Sequence, residues 1–247
     1  MTPILLLHGL TFDHRQWDAV RRELPGHPVL ALDLPGHGAT PPLDAHRTDD
    51  VAAWVHERVV AAGLDAPIVA GHSLGGVLAT VYAARYPARG VIDVDQPLLL
   101  GGFGALVRRA EPVLRGPDWR TVWDGLVAGM HAELLPAGVR PLTVGRPSAA
   151  LLLGYWAEIL EHDDEEIARR RAAELSAIAA RGLPYTHVAS TEPPAAYRRW
   201  LTSLVPDASV AVIPGGGHFP HLADPRAVAR LIAAQSSRQP AGPPAAG

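Results

Sequence analysis

Six short apolar runs set the fold of this chain. Pro3 to Leu7, Val29 to Asp33, Pro67 to Ala70, Gly90 to Asp95, Tyr185 to Ser190 and Ser209 to Ile213 are largely continuous rather than alternating. Each is bounded by Gly, Pro or Asp. A strand that is apolar on both faces must be covered on both, and a parallel sheet between two helical layers does that. The gaps supply the helices. Asp49 to Ala62 spaces Val51, Trp54, Val55, Val59 and Val60 along one helix, and Leu74 to Tyr86 does the same with Val77, Leu78, Val81 and Tyr82 before Pro87 stops it. Pro225 to Ala234 carries Val228, Leu231 and Ile232 behind Asp224, a natural N-cap. The expectation is an α/β fold: a mostly parallel sheet of about six strands, helices on both faces, and ligands beyond the C-terminal strand ends.

One gap breaks the rhythm. Between about Pro97 and Gly182 lies an insertion of several helical pieces, expected to form a helical cap over a core made of residues 1–96 and 183–235. Its last helix, about Asp164 to Arg181, sets Glu165 before Arg169 and Glu166 before Arg170 at i,i+4, which reads as a solvated face. The cap's aromatics, Trp123 and Trp156 among them, are either the cap's own core or the wall of an acyl pocket. Residues 236–247 are mostly Ser, Pro, Gly and Ala and are expected to be disordered.

Composition narrows the partners. The 247 residues carry a formal net charge of −3 with no basic stripe, which argues against nucleic acid. There is no cysteine, hence no disulfide, thiolate nucleophile or sulfur metal site. No apolar run is long enough to cross a bilayer, and the start shows no basic n-region or cleavage site, so the cytoplasm is the expected compartment. The oligomeric state is left open.

Chemistry concentrates at Gly71-His72-Ser73-Leu74-Gly75. This G-x-S-x-G stands between a strand and a helix, where a sharp turn exposes the serine hydroxyl above the sheet, with the helix N-terminus aimed at any nearby negative charge. A serine needs a base. His218 follows the Ser209 to Ile213 strand in the Gly215-Gly216-Gly217 loop, at the same rim, and His221 reads as structural or pocket-lining. An oxyanion forming on the attacked carbonyl needs pre-placed donors. Leu74 N–H is one, and Leu10 N–H, in the His8-Gly9-Leu10-Thr11 loop after the first strand, is the other. His8 reads as a brace for that loop, and Thr11 is a candidate substrate contact.

In order, His8-Gly9, Asp33-Leu34-Pro35-Gly36-His37-Gly38, Gly71-His72-Ser73-Leu74-Gly75-Gly76 and His218-Phe219-Pro220 resemble the α/β-hydrolase superfamily across the core, though not the insertion. The resemblance implies a triad in the chain order Ser, acid, His, with a structural role for Asp33 and His37. Two departures stand out. The chain reaches its first strand at once, which resembles the trimmed sheet of plant-type methylesterases and hydroxynitrile lyases. The acid has two candidates. Relatives commonly carry G-x-x-D after the strand that follows the cap, where this chain has Ala189-Ser190-Thr191-Glu192, so Glu192 is one. Asp95 is the other, at a strand end that haloalkane dehalogenases and some lipases use, and it is favoured.

The resemblance implies a serine hydrolase acting on a carboxylic ester or thioester through an acyl-enzyme, with no metal or organic cofactor. An apolar acyl or aromatic small molecule is the expected substrate. The alternatives are a hydroxynitrile lyase, C–C hydrolase, perhydrolase or cyclase using the same site, or a non-catalytic small-molecule receptor.

Overall fold

The computed structural model describes residues 1–236. The expected disorder falls outside the described residues, apart from Ser236, which ends the last helix. Six strands form one parallel sheet: β1 (Ile4–Leu7), β2 (Val29–Leu32), β3 (Ile68–His72), β4 (Gly90–Val94), β5 (Tyr185–Ala189) and β6 (Ser209–Val212), in the order β2-β1-β3-β4-β5-β6. The helices are α1 (Asp18–Arg22), α2 (Thr48–Ala61), α3 (Leu74–Arg85), α4 (Gly102–Leu114), α5 (Trp119–Ala128), α6 (Ala149–Tyr155), α7 (Ala157–Glu161), α8 (Asp164–Ala180), α9 (Ala195–Leu204), α10 (Pro220–Ala223) and α11 (Pro225–Ser236).

Alternation along the strands fills both layers. Leu5, Leu7, Val69, Val91 and Tyr185 pack into the cluster shared with α2, α3 and α8. Ile4, Leu6, Ile68, Ala70, Ile92, Val94 and Val188 pack into the opposite cluster with Val20 of α1 and Val228, Ala229 and Ile232 of α11. All four β1 side chains are fully buried, each contributing roughly 1.5–3 kcal/mol of hydrophobic stabilisation. Strand order reverses beside β1, so the loops after β1 and β3 leave the sheet next to one another, at the place where such sheets bind ligands.

The elements differ from the expectation in three places. β3 runs on through Gly71 and His72, because these still pair with Asp93 and Val94. The connection between β1 and β2 holds a 3-10 turn, His14–Trp17, and the five-residue α1, too short to show a helical period. The third is α8, placed in the cap by sequence. It packs against α3 and α9, with Leu175 and Ile178 in the main core. Adjacent parallel strands need a crossover helix on the sheet face, and α8 fills that role between β4 and β5. The expected Glu165–Arg169 and Glu166–Arg170 bridges form on its surface at 2.9 Å each.

Candidate active site

Ser73 occupies the turn from β3 into α3 with φ 53° and ψ −122°, a region that L-residues avoid. Its N–H donates to Val94 O at 3.0 Å, and its carbonyl accepts from Gly76 N at 2.7 Å, so the strained turn is held on both sides. The flanking glycines are sterically required. A Cβ at Gly71 would collide with the Gly75 carbonyl, and one at Gly75 would collide with the carbonyls of Leu7 and His8.

His218 lies at the head of the loop before α10. Its Nδ1 is 2.8 Å from Asp95 Oδ2. Both side chains are about one-fifth exposed, so solvent screens the pair only in part. Asp95 follows β4 at φ 54°, and its second oxygen accepts from Ser190 N at 3.0 Å. One carboxylate therefore holds the imidazole while β5 holds the carboxylate. Ser190 also donates its hydroxyl to Gly217 O, tying the histidine loop to the same strand end. Sequence reasoning missed Ser190. Its signal was there, in the segment where relatives carry their acid, but read only for a carboxylate.

Glu192, the other acid candidate, is not brought to His218. Its side chain is 69% exposed and bonds Arg198 at 2.6 Å. It sits past the end of β5, on the approach to α9, and the nearby guanidinium satisfies it there. Among the described residues, the side-chain hydrogen bond of His218 is the one from Nδ1 to Asp95, which leaves Nε2 open towards the rim that carries Ser73.

The loop after β1 is rigid for reasons legible in its histidines. His8 donates from Nδ1 to Gly9 O at 2.8 Å and accepts Leu34 N–H on Nε2 at 3.0 Å. His37 donates from Nδ1 to Pro35 O at 3.0 Å and accepts Thr11 N–H on Nε2 at 2.9 Å. Each ring is thus a neutral donor–acceptor strut. Burial pushes His8 down to about 3 and His37 to about 4. His8 therefore braces, and His221, fully buried and pushed down to about 3 by burial, is structural. With Thr11 N–H committed to His37, Leu10 N–H and Leu74 N–H are backbone donors with no protein acceptor among the described residues.

Two expected pocket residues are buried. Trp123 and Trp156 are 4% and 6% exposed and belong to the apolar core, where Phe103 meets Trp156 edge-on at 5.8 Å. They share this core with Leu7 at the end of β1 and Leu10 just after it, so α4 to α7 fold onto the core of the sheet rather than around one of their own. Thr11 acts through its backbone: at φ 72° its carbonyl accepts Arg146 N–H at 2.8 Å, fastening the insertion to the loop. A second fastening runs from His218 N to Met130 O at 2.8 Å. Among the described residues, Asp13, His14 and Asp33 are the group whose spacing would suit a cation. Arg15 claims Asp13 and His14 claims Asp33.

A parallel sheet with a positive-φ serine at the turn from a central strand into a helix, facing an acid–histidine pair, is the architecture of the α/β hydrolases. Residues 4–231 match the alpha/beta hydrolase family, and the chain belongs to that family of enzymes. Over 85 residues it is 35% identical to 2-succinyl-6-hydroxy-2,4-cyclohexadiene-1-carboxylate synthase of Enterobacter sp. (strain 638), covering 34% of this chain and 33% of that protein. Over 86 residues it is 41% identical to pimeloyl-[acyl-carrier protein] methyl ester esterase of Neisseria meningitidis serogroup B, covering 34% and 31%. The matches therefore span about a third of the length of these curated relatives. Among solved structures, a protein described as recognising and ring-cleaving the Pseudomonas quinolone signal is similar at TM-score 0.75 and 22% identity, over 96% of this chain and 92% of its own. E-2-(acetamidomethylene)succinate hydrolase follows at 0.72 and 19%, over 96% and 92%. At such identities these structures share the fold.

Proposed function

We propose that this enzyme is a serine hydrolase that cleaves a carboxylic ester or thioester through an acyl-enzyme. The observation that carries this reading is the Asp95–His218 bond at the strand rim that also presents Ser73. His218 Nε2 takes the Ser73 proton as Oγ attacks the acyl carbon. Leu10 and Leu74 N–H groups receive the charge on the carbonyl oxygen. Collapse of the tetrahedral intermediate expels the alcohol or thiol, which leaves with the proton from His218. Water, deprotonated by the same nitrogen, then attacks the acyl-serine and releases the acid. Asp95 fixes the imidazole with its proton on Nδ1 and stabilises the imidazolium. The Ser73–His218 contact tightens when substrate is bound, as such contacts commonly do only in the complex. Residues 97–163 act as the cap over this site, since they are bonded to both the oxyanion loop and the base loop.

Turnover of a short-chain p-nitrophenyl ester, and covalent labelling of Ser73 by a fluorophosphonate, are expected of the native enzyme and not of Ser73→Ala. Undiminished turnover by purified Ser73→Ala overturns the proposal. A second reading keeps the site and forms or breaks a carbon–carbon bond. It is favoured by the synthase and ring-cleavage descriptions of proteins similar to this one. Product analysis with an ester and a β-dicarbonyl substrate side by side separates the two.

A further inference from the structure

His72 fills the variable position of the Gly71–Gly75 motif, a place where the motif itself demands no side chain. Here it is fully buried. Its Nε2 stands 2.7 Å from the carbonyl oxygen of His218, 146 positions along the chain. A carbonyl can only accept, so Nε2 carries the ring proton and Nδ1 is bare. The opposite edge of the ring faces the loop after β1. A Cβ on Gly9 would stand 2.9 Å from His72 Nδ1 and 3.2 Å from Cε1. The Phe219 and His221 rings pack against it at 5.4 and 4.4 Å between centroids, and Phe12 at 6.3 Å. Burial, reinforced by the neighbouring His221 and His218, holds His72 well below the usual imidazole range, so the ring stays neutral and keeps this single donor.

We infer that His72 is a positioning residue: one imidazole in the nucleophile's own turn tethers the main chain of the base and sets the gap to the loop that offers Leu10. The inference rests on the reading of Ser73, His218 and Leu10 given above, and deepens it. The three loops come from β1, β3 and the segment after β6, and no strand pairing joins the last of these to the other two. His72 makes that connection directly. It also gives Gly9 a specific reason to lack a side chain, because the space belongs to this ring. A misplacement of about 1 Å among reacting groups can cost on the order of 100-fold in rate, so the tether has catalytic weight without touching substrate.

A merely structural histidine would lower stability and leave turnover per folded molecule unchanged. His72→Leu removes the donor. His72→Gln keeps one, because its amide nitrogen is the same number of bonds from Cβ. For folded protein, His72→Leu is expected to lower kcat for the p-nitrophenyl ester about 10- to 100-fold at nearly constant KM. Fluorophosphonate labelling of Ser73 should slow in parallel, and His72→Gln should recover most of the loss. Unchanged kcat in His72→Leu, or His72→Gln as slow as His72→Leu, overturns the inference. Should His72→Leu not fold, nitrogen-15 NMR of the native enzyme still decides. An Nε2–H tautomer that does not titrate between pH 5 and 8 is expected, and an Nδ1–H tautomer or a titration near 6.5 overturns the tether. If the native enzyme neither labels nor turns over ester, the reading of the site has failed, and the NMR result reports on the tether separately.

Discussion

Asp95 and His218, separated by 123 positions in the chain, meet at 2.8 Å, while Glu192 is bound at 2.6 Å to Arg198. The two carboxylates should therefore behave differently. Asp95→Asn is expected to lower kcat by about 10³- to 10⁴-fold, because an amide cannot hold the imidazole in the same tautomer or stabilise its charge. Glu192→Gln breaks an exposed ion pair and should leave kcat within about twofold. Steady-state kinetics on the ester measures both, and the opposite ranking would reassign the acid.

Gly75 is one of the glycines of this turn where a side chain cannot fit. A methyl group there meets the Leu7 and His8 carbonyls, rigid main chain at the root of the oxyanion loop. Gly75→Ala is expected to destabilise by about 1–3 kcal/mol. It should also lower kcat beyond what the folded fraction accounts for, since the strain moves Leu10. Urea unfolding and kinetics on the same preparation separate the two effects.

Beneath the site, Asp93 and His187 form a pair at 0% and 1% exposure, Oδ2 to Nδ1 2.8 Å, with Tyr185 OH donating to the same oxygen at 3.2 Å. Burial opposes charge on His187, but Asp93 outweighs it and raises the histidine. His187→Leu strands the carboxylate and is expected to cost about 3–5 kcal/mol. Adding Asp93→Asn should return part of that loss, whereas simple addition of the two effects would show that the pair is not coupled. Equilibrium denaturation of both variants provides the measurement.

Glu174 of α8 lies between Arg171 at 3.1 Å and Arg85 at 3.8 Å, with Asp49 and Glu158 also facing it. Burial outweighs the two guanidinium groups and raises it from an ordinary 4.5 to about 7. The folded protein then holds this proton more tightly than the unfolded chain. Its contribution is full below pH 4.5 and is lost as pH rises through about 7, by as much as about 3 kcal/mol. Glu174→Gln should therefore gain stability relative to the native protein between pH 5 and pH 8 in urea titrations. A difference independent of pH would refute the assignment.

The core strands were legible because parallel strands buried on both faces write themselves as unbroken apolar runs, as Ile4–Leu7 does. The placement of Ser73 and His218 was legible because each follows a strand in a segment rich in glycine. The carboxylate that meets His218 was not, because either Asp95 or Glu192 is near enough in sequence terms. The Asp95–His218 contact and the Glu192–Arg198 bond separate them. α8 was misplaced because a crossover helix and a cap helix have the same periodicity; what distinguishes them is the surface each finds to pack on. His72 was invisible for a different reason. Its partner is a main-chain carbonyl on a remote loop, and a main-chain carbonyl has no sequence signature.

The main chain of His218 is held from two sides, its N–H by Met130 O and its carbonyl by His72 Nε2. One anchor lies in the long insertion and the other in the turn that carries Ser73. A substitution that reshapes the Met130 turn would therefore reach the His218 backbone without altering a single strand.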